Sequence, residues 1–92
     1  MKSIPKGLTG ADLIVAGVRD LEAGRATAEA LLVSIGAPRL RLGGLTIPNP
    51  LEDPEHRLYK LIAKKDSDAA HSRYNAMVRR LVSFERALGC AT

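Results

Sequence analysis

Tryptophan is absent from this sequence, and only Tyr59, Tyr74 and Phe84 carry aromatic rings. A core must therefore be assembled from Leu, Ile, Val, Ala and Met. That mixture favours helices, because Leu and Ala are good helix formers and the β-branched residues do not cluster. Cysteine is almost missing too: Cys90 stands alone, so no internal disulfide can form and the fold needs no oxidising compartment. With no histidine nearby in sequence, Cys90 reads as an inert surface thiol. Long apolar runs are also lacking. None approaches the ~20 residues of a membrane span, and the stretch 13–18, preceded by Asp12, is too short and too acidic-flanked for a secretory signal, despite Lys2 and Lys6. The expected location is the cytoplasm.

Several chemistries lose their signature in the same way. No Cys/His cluster has zinc-ligand spacing. Gly43-Gly44 lacks the strand and the spacing of a phosphate-binding or dinucleotide loop, and reads as a helix stop. No metal, no cofactor and no small-molecule substrate is expected, and no enzymatic activity.

What is present is ordinary globular material. Apolar residues make up 46% and charged residues 26%, which argues against disorder. Ninety-two residues make one helical domain, 1–92. The formal net charge of +4 is compatible with nucleic acid or another acidic partner and does not choose between them.

Periodicity predicts an all-α fold, a small bundle-like or orthogonal array of four main helices and a short fifth turn. The first helix, residues 10–23, has Thr9 as its N-cap, Asp12 three residues on, and Leu8 and Leu13 placed as a hydrophobic staple. Ile14, Gly17, Val18 and Leu21 share its inner side, and Gly24 supplies the left-handed residue that ends it. Thr27 caps a second helix, 28–35, whose apolar residues on most sides place it centrally. Gly36 closes it, and Pro38 opens a short turn of helix, 38–42. An extended connection, 43–53, contains Pro48 and Pro50. Asp53-Pro54-Glu55 then marks a helix start for 54–65, and the brief Asp66-Ser67-Asp68 break leads into a long final helix, 68–88, as an αα-hairpin.

That final helix carries Ala70, Tyr74, Met77, Leu81, Phe84 and Leu88 in a 4-3-4-3-4 heptad seam, widened by Val78 and Val82. The seam serves either as the domain's own core or, through Tyr74, Met77, Leu81, Phe84 and Leu88, as an interface with a second copy or another protein. The other helices also need a partner, which favours the core. Opposite the seam lie Ser72, Asn75, Arg79, Ser83 and Arg86, residue types that hold phosphates or read base edges. Arg57, Lys60 and Lys64 line up outside the preceding helix and add backbone contacts. Against a groove-reading helix, Asp66 and Asp68 sit at its leading tip, and Arg73 and Arg80 project about 120° away from Arg79 and Arg86. A helix-turn-helix over 28–45 fails because its second helix would be barely one turn long.

The two histidines occur in two His-x-x-Tyr pairs, His56/Tyr59 and His71/Tyr74, each followed at matching offsets by a basic pair, Lys64-Lys65 and Arg79-Arg80. Brought together, His56 and His71 would suit acid–base cleavage of a phosphodiester. The blander reading is two surface histidines in first turns. The expected function is a non-enzymatic binding protein that engages nucleic acid or an acidic partner through Arg57, Lys60, Lys64, Ser72, Asn75, Arg79 and Arg86. The alternative is a homo-oligomeric interaction module.

Overall fold

The 3.6-residue spacing of apolar side chains carries directly into the backbone. A computed structural model describes residues 7–91, with side chains through residue 89; within them the chain forms α1 (Ala11–Glu22), α2 (Ala28–Leu42), α3 (Pro54–Lys65) and α4 (Ala70–Ala91), and no strand. The all-α expectation holds. Lys2, Lys6 and the Cys90 side chain lie outside the described residues.

α1 buries Ile14, Gly17, Val18 and Leu21, as its pattern requires. Its start differs from expectation: Gly10, not Thr9, is the N-cap, in a left-handed conformation with no side-chain capping bond. The reason is proximity to α4. A Cβ on Gly10 would lie 2.7 Å from the Arg80 carbonyl oxygen, so only glycine lets the chain enter the helix here. The end of α1 follows the sequence, with Gly24 at φ 74°. The α1–α2 turn is then tied at Asp20, whose carboxylate accepts from the Thr27 hydroxyl and pairs with Arg25 at 3.1 Å. Thr27 caps α2 as expected, its Oγ1 accepting from the Ala30 amide at 3.2 Å.

α2 is the central element and packs against α1, α3 and α4. The expected division into 28–35 and 38–42 does not occur. One helix runs through Gly36 and Pro38. An interior proline forfeits a hydrogen bond and crowds the preceding turn, at about 3 kcal/mol. Burying Leu40 completely and Ala37 nearly so recovers a comparable amount, and both require α2 to continue. Gly36 is there for contact rather than termination: a Cβ on it would lie 2.7 Å from Leu81 Cδ1 and 2.9 Å from Glu85 Oε2.

The 43–53 connection is non-helical, as the prolines dictate, yet it is not a surface strap. Leu45 and Ile47 are buried in the common core. Arg41 donates to the Ile47 carbonyl at 2.8 Å, and the Leu51 amide donates to Ser34 Oγ at 2.9 Å. Pro54 takes the first turn of α3 as expected. Asp53 precedes it at φ 48° and makes no side-chain cap; its carboxylate lies 3.5 Å from His56 Nδ1 instead.

α4 begins at Ala70 rather than 68, because Asp66 Oδ1 accepts from the Ala69 amide at 3.2 Å and holds residues 66–69 as a turn. Ala70, Leu81, Phe84 and Leu88 of the seam are buried, while Tyr74 and Met77 pack against the core from its edge. The heptad is thus filled from within the chain.

Candidate anionic-partner interface

The basic side chains fall into two sets once their partners are identified. Arg73 lies 3.7 Å from Asp66, and Arg80 lies 3.2 Å from Asp12 of α1. Arg79 and Arg86, exposed on the other flank of α4, have no ion pair among the described residues. The angular split of the arginines therefore coincides with a split between internally compensated and uncompensated charge. Asp66, an objection to phosphate at the helix tip, is occupied by the Ala69 amide and by Arg73.

On α3, Arg57, Lys60 and Lys64 line one groove of about 280 Å³ whose other walls are Ala26, Leu31 and Leu61. No carboxylate lines it. Arg57 donates to the Glu52 carbonyl at 3.2 Å, which leaves its charge uncompensated, and Lys60 and Lys64 have no ion pair among the described residues. The groove includes no α4 residue, so the two basic faces are separate surfaces. Of the remaining candidates, Ser72 is exposed, and Asn75 is half-buried with its Nδ2 3.2 Å from His71 Nε2.

The two His-x-x-Tyr motifs do meet, through their tyrosines. The rings of Tyr59 and Tyr74 contact edge-on, with centroids 5.7 Å apart at 62°. Burial, and secondarily the negative charge of Glu55, holds the Tyr74 phenol above its ordinary value, so it stays protonated at neutral pH. The histidines are placed otherwise. In an antiparallel hairpin each precedes its tyrosine by three residues in opposite directions, which separates them by ~9 Å along the axis at 1.5 Å per residue. Both side chains are exposed, one against Asp53 and the other against Asn75.

The interface candidates require correction. Leu81, Phe84 and Leu88 are 2%, 0% and 4% exposed and fill the chain's own core, and of the three only Leu81 also lines the groove between α2 and α4. Tyr74 and Met77 keep only an edge. What the seam leaves half-open is its widened side: Val78 and Val82 form a groove of about 320 Å³ with Ile35 and Pro38 of α2, with Arg39 and Glu85 also lining it. Glu85 has no ion pair among the described residues. Burial raises its carboxyl above the ordinary value, and the Arg39 charge partly opposes that.

The sequence pattern assigns no special role to two residues that are central to the site's frame. Ser34 stands inside an apolar helix and hydrogen-bonds twice, donating to the Ala30 carbonyl at 2.8 Å besides accepting from Leu51. Gly17 faces Val33 and the Glu29 backbone so closely that a Cβ would overlap both. A polar residue amid apolar ones, and a glycine on a buried face, were the available signals.

Among the described residues no group of three or more His, Cys, Asp and Glu could hold a metal ion, and no helix is long and apolar enough to cross a membrane. The chain matches no family model, no curated protein and no solved structure.

Proposed function

We propose that this is a small, non-enzymatic, cytoplasmic binding protein that engages a polyanionic partner, nucleic acid or an acidic protein surface, through the α3 groove and the outer face of α4. The observation that supports this reading is uncompensated charge: Arg57, Lys60 and Lys64 share a groove with no carboxylate in its lining. Arg79 and Arg86 add charge on α4 that is unpaired among the described residues, whereas Arg73 and Arg80 are occupied within the chain. Lysines in such a groove contact phosphates without reading bases, so affinity is expected to be nonspecific and steeply salt-dependent.

Fluorescence anisotropy with labelled duplex DNA, single-stranded RNA and polyglutamate, at salt rising from about 50 to about 200 mM, tests this. Binding to at least one polyanion is expected. The slope of log affinity against log salt should be shallower by about one in Lys60→Gln, and likewise in Lys64→Gln, because each variant neutralises one phosphate fewer. Failure to bind any of the three, or binding indifferent to salt, would overturn it.

A second reading, self-association, is supported by the half-open apolar groove of Ile35, Pro38, Val78 and Val82. It expects a dimer in light scattering that Val82→Glu dissociates while the helical spectrum is kept. A monomer at high micromolar concentration eliminates it.

A further inference from the structure

Leu42 ends α2 with 88% of its surface exposed. A single exposed leucine is ordinary, but this one is not isolated. Ile35, Pro38 and Leu42 follow one another at spacings of three and four, so they share one face of α2. Val78 and Val82 of α4 form a groove with the first two. Gly36 lies against Leu81 and Glu85, and Gly43 against Leu88, so the two helices run side by side in the same direction. Together they present one apolar face that extends from the groove to Leu42. The charged residues in the groove's lining are Arg39 and Glu85, one of each sign. They form no ion pair with each other, and neither has one elsewhere among the described residues.

We propose that a second copy of this chain covers this face, with α2 of each copy laid over α4 of the other and Arg39 of each paired with Glu85 of its partner. The proposal rests on the self-association reading and specifies its geometry. A groove lined by one cation and one anion draws neither a polyanion nor a polycation. Such a patch is instead complementary to itself under a two-fold axis, where a contact of one residue with another is repeated in reverse.

The direction of the axis follows from the same two charges. Arg39 stands three residues beyond Gly36, which touches Glu85, so the two lie within ~4.5 Å of one level along the helices at 1.5 Å per residue. An axis running along the helices therefore brings each Arg39 to the partner's Glu85. It also sets Ile35 and Pro38 over the partner's Val78 and Val82, and Leu42 over the last turns of the partner's α4. An axis running across the helices at this level would stack α2 on α2, with Arg39 facing Arg39 and Glu85 facing Glu85. Like charges so placed oppose association. Glu85 is half-buried and Arg39 exposed. Covering Glu85 without a cation would strand its carboxylate, and the long, exposed Arg39 of the other copy supplies one.

The test is sedimentation equilibrium of the full chain at high micromolar concentration, with the helical spectrum of each variant as the check on folding. The parent is expected to be a dimer. Arg39→Gln removes both cross-copy pairs and is expected to weaken it by about tenfold or more. Leu42→Glu buries a charge in the apolar face and is expected to weaken it at least as much. Both positions are exposed, so both variants should fold. Arg39→Glu and Glu85→Lys are each expected to be monomeric alone, and their equimolar mixture to form a heterodimer, because each copy then supplies the charge that the other lacks. A pair closed within one chain predicts no such rescue. The proposal is overturned by a mixture no tighter than its components, by Arg39→Gln that dimerises as the parent does or more tightly, or by Leu42→Glu without effect. In each of those cases the parent still dimerises and the self-association reading stands; a monomeric parent removes both.

Discussion

Ser34 occupies the interior of α2, and its hydroxyl joins that helix to the proline-bearing connection by accepting from Leu51. A helix-wheel reading treats such a serine as an interruption of an apolar face; the fold uses it to satisfy an amide that would otherwise be stranded near the core. Glu85 is the residue whose environment has the clearest consequence in solution. Its carboxyl is held above its ordinary value by burial, so the folded chain binds that proton more tightly than the unfolded chain does. Stability from this group is therefore greatest in acid and declines as pH rises from the unfolded value through the raised folded one. Glu85→Gln is expected to abolish that decline and to be more stable than the parent at neutral pH. Urea denaturation of both proteins from about pH 4 to about pH 8 measures it; parallel curves would mean that Glu85 does not titrate differently in the two states.

At the scale of elements, the helices approach one another at glycines, and those glycines are not equivalent. At Gly17 an added methyl would overlap Val33 and also the Glu29 carbonyl, which is backbone and cannot rotate away. At Gly36 the obstacles are the terminal methyls of Leu81 and the carboxylate end of Glu85, which are side-chain ends. Alanine also improves an interior helix position by roughly 1 kcal/mol over glycine. Gly17→Ala is therefore expected to destabilise by about 3 kcal/mol, and Gly36→Ala by less than about half of that, in parallel urea melts. The reverse ranking would show that the α2–α4 contact, rather than the α1–α2 crossing, is the less yielding one. The same comparison explains why α2 outlasted its breakers: packing of Ala37 and Leu40 acts over the whole helix, whereas the penalties of Gly36 and Pro38 are local.

Across the whole molecule, charge is sorted by pairing as much as by position. Asp12 reaches from α1 to Arg80 of α4, and Asp66 caps one turn while it neutralises Arg73. What remains unpaired among the described residues includes the α3 groove and the Arg79/Arg86 face. In the salt titrations, neutralising Arg79 and Arg86 together is expected to cost polyanion affinity, and neutralising Arg73 and Arg80 together to leave it nearly unchanged. Equal losses from the two double variants would mean that net charge alone, not this arrangement, governs binding.

The linear pattern by itself determined the helical class, the inner faces of α1 and α4, the Thr27 cap, the Gly24 stop and the non-helical run between Leu42 and Pro54. Those features depend on 3.6-residue spacing, on local capping hydrogen bonds and on the missing amide of proline, all of which act within a few residues. Tertiary structure alone decided that α2 continues through Gly36 and Pro38, that Gly10 replaces Thr9 at the start of α1, and that Leu45 and Ile47 turn inward. It also decided that Arg73 and Arg80 of α4 are paired within the chain, whereas Arg79 and Arg86 have no ion pair among the described residues. Each of these depends on atoms distant in sequence, such as the Arg80 carbonyl beside Gly10 or Asp12 beside Arg80. Only a folded chain brings such atoms within contact distance.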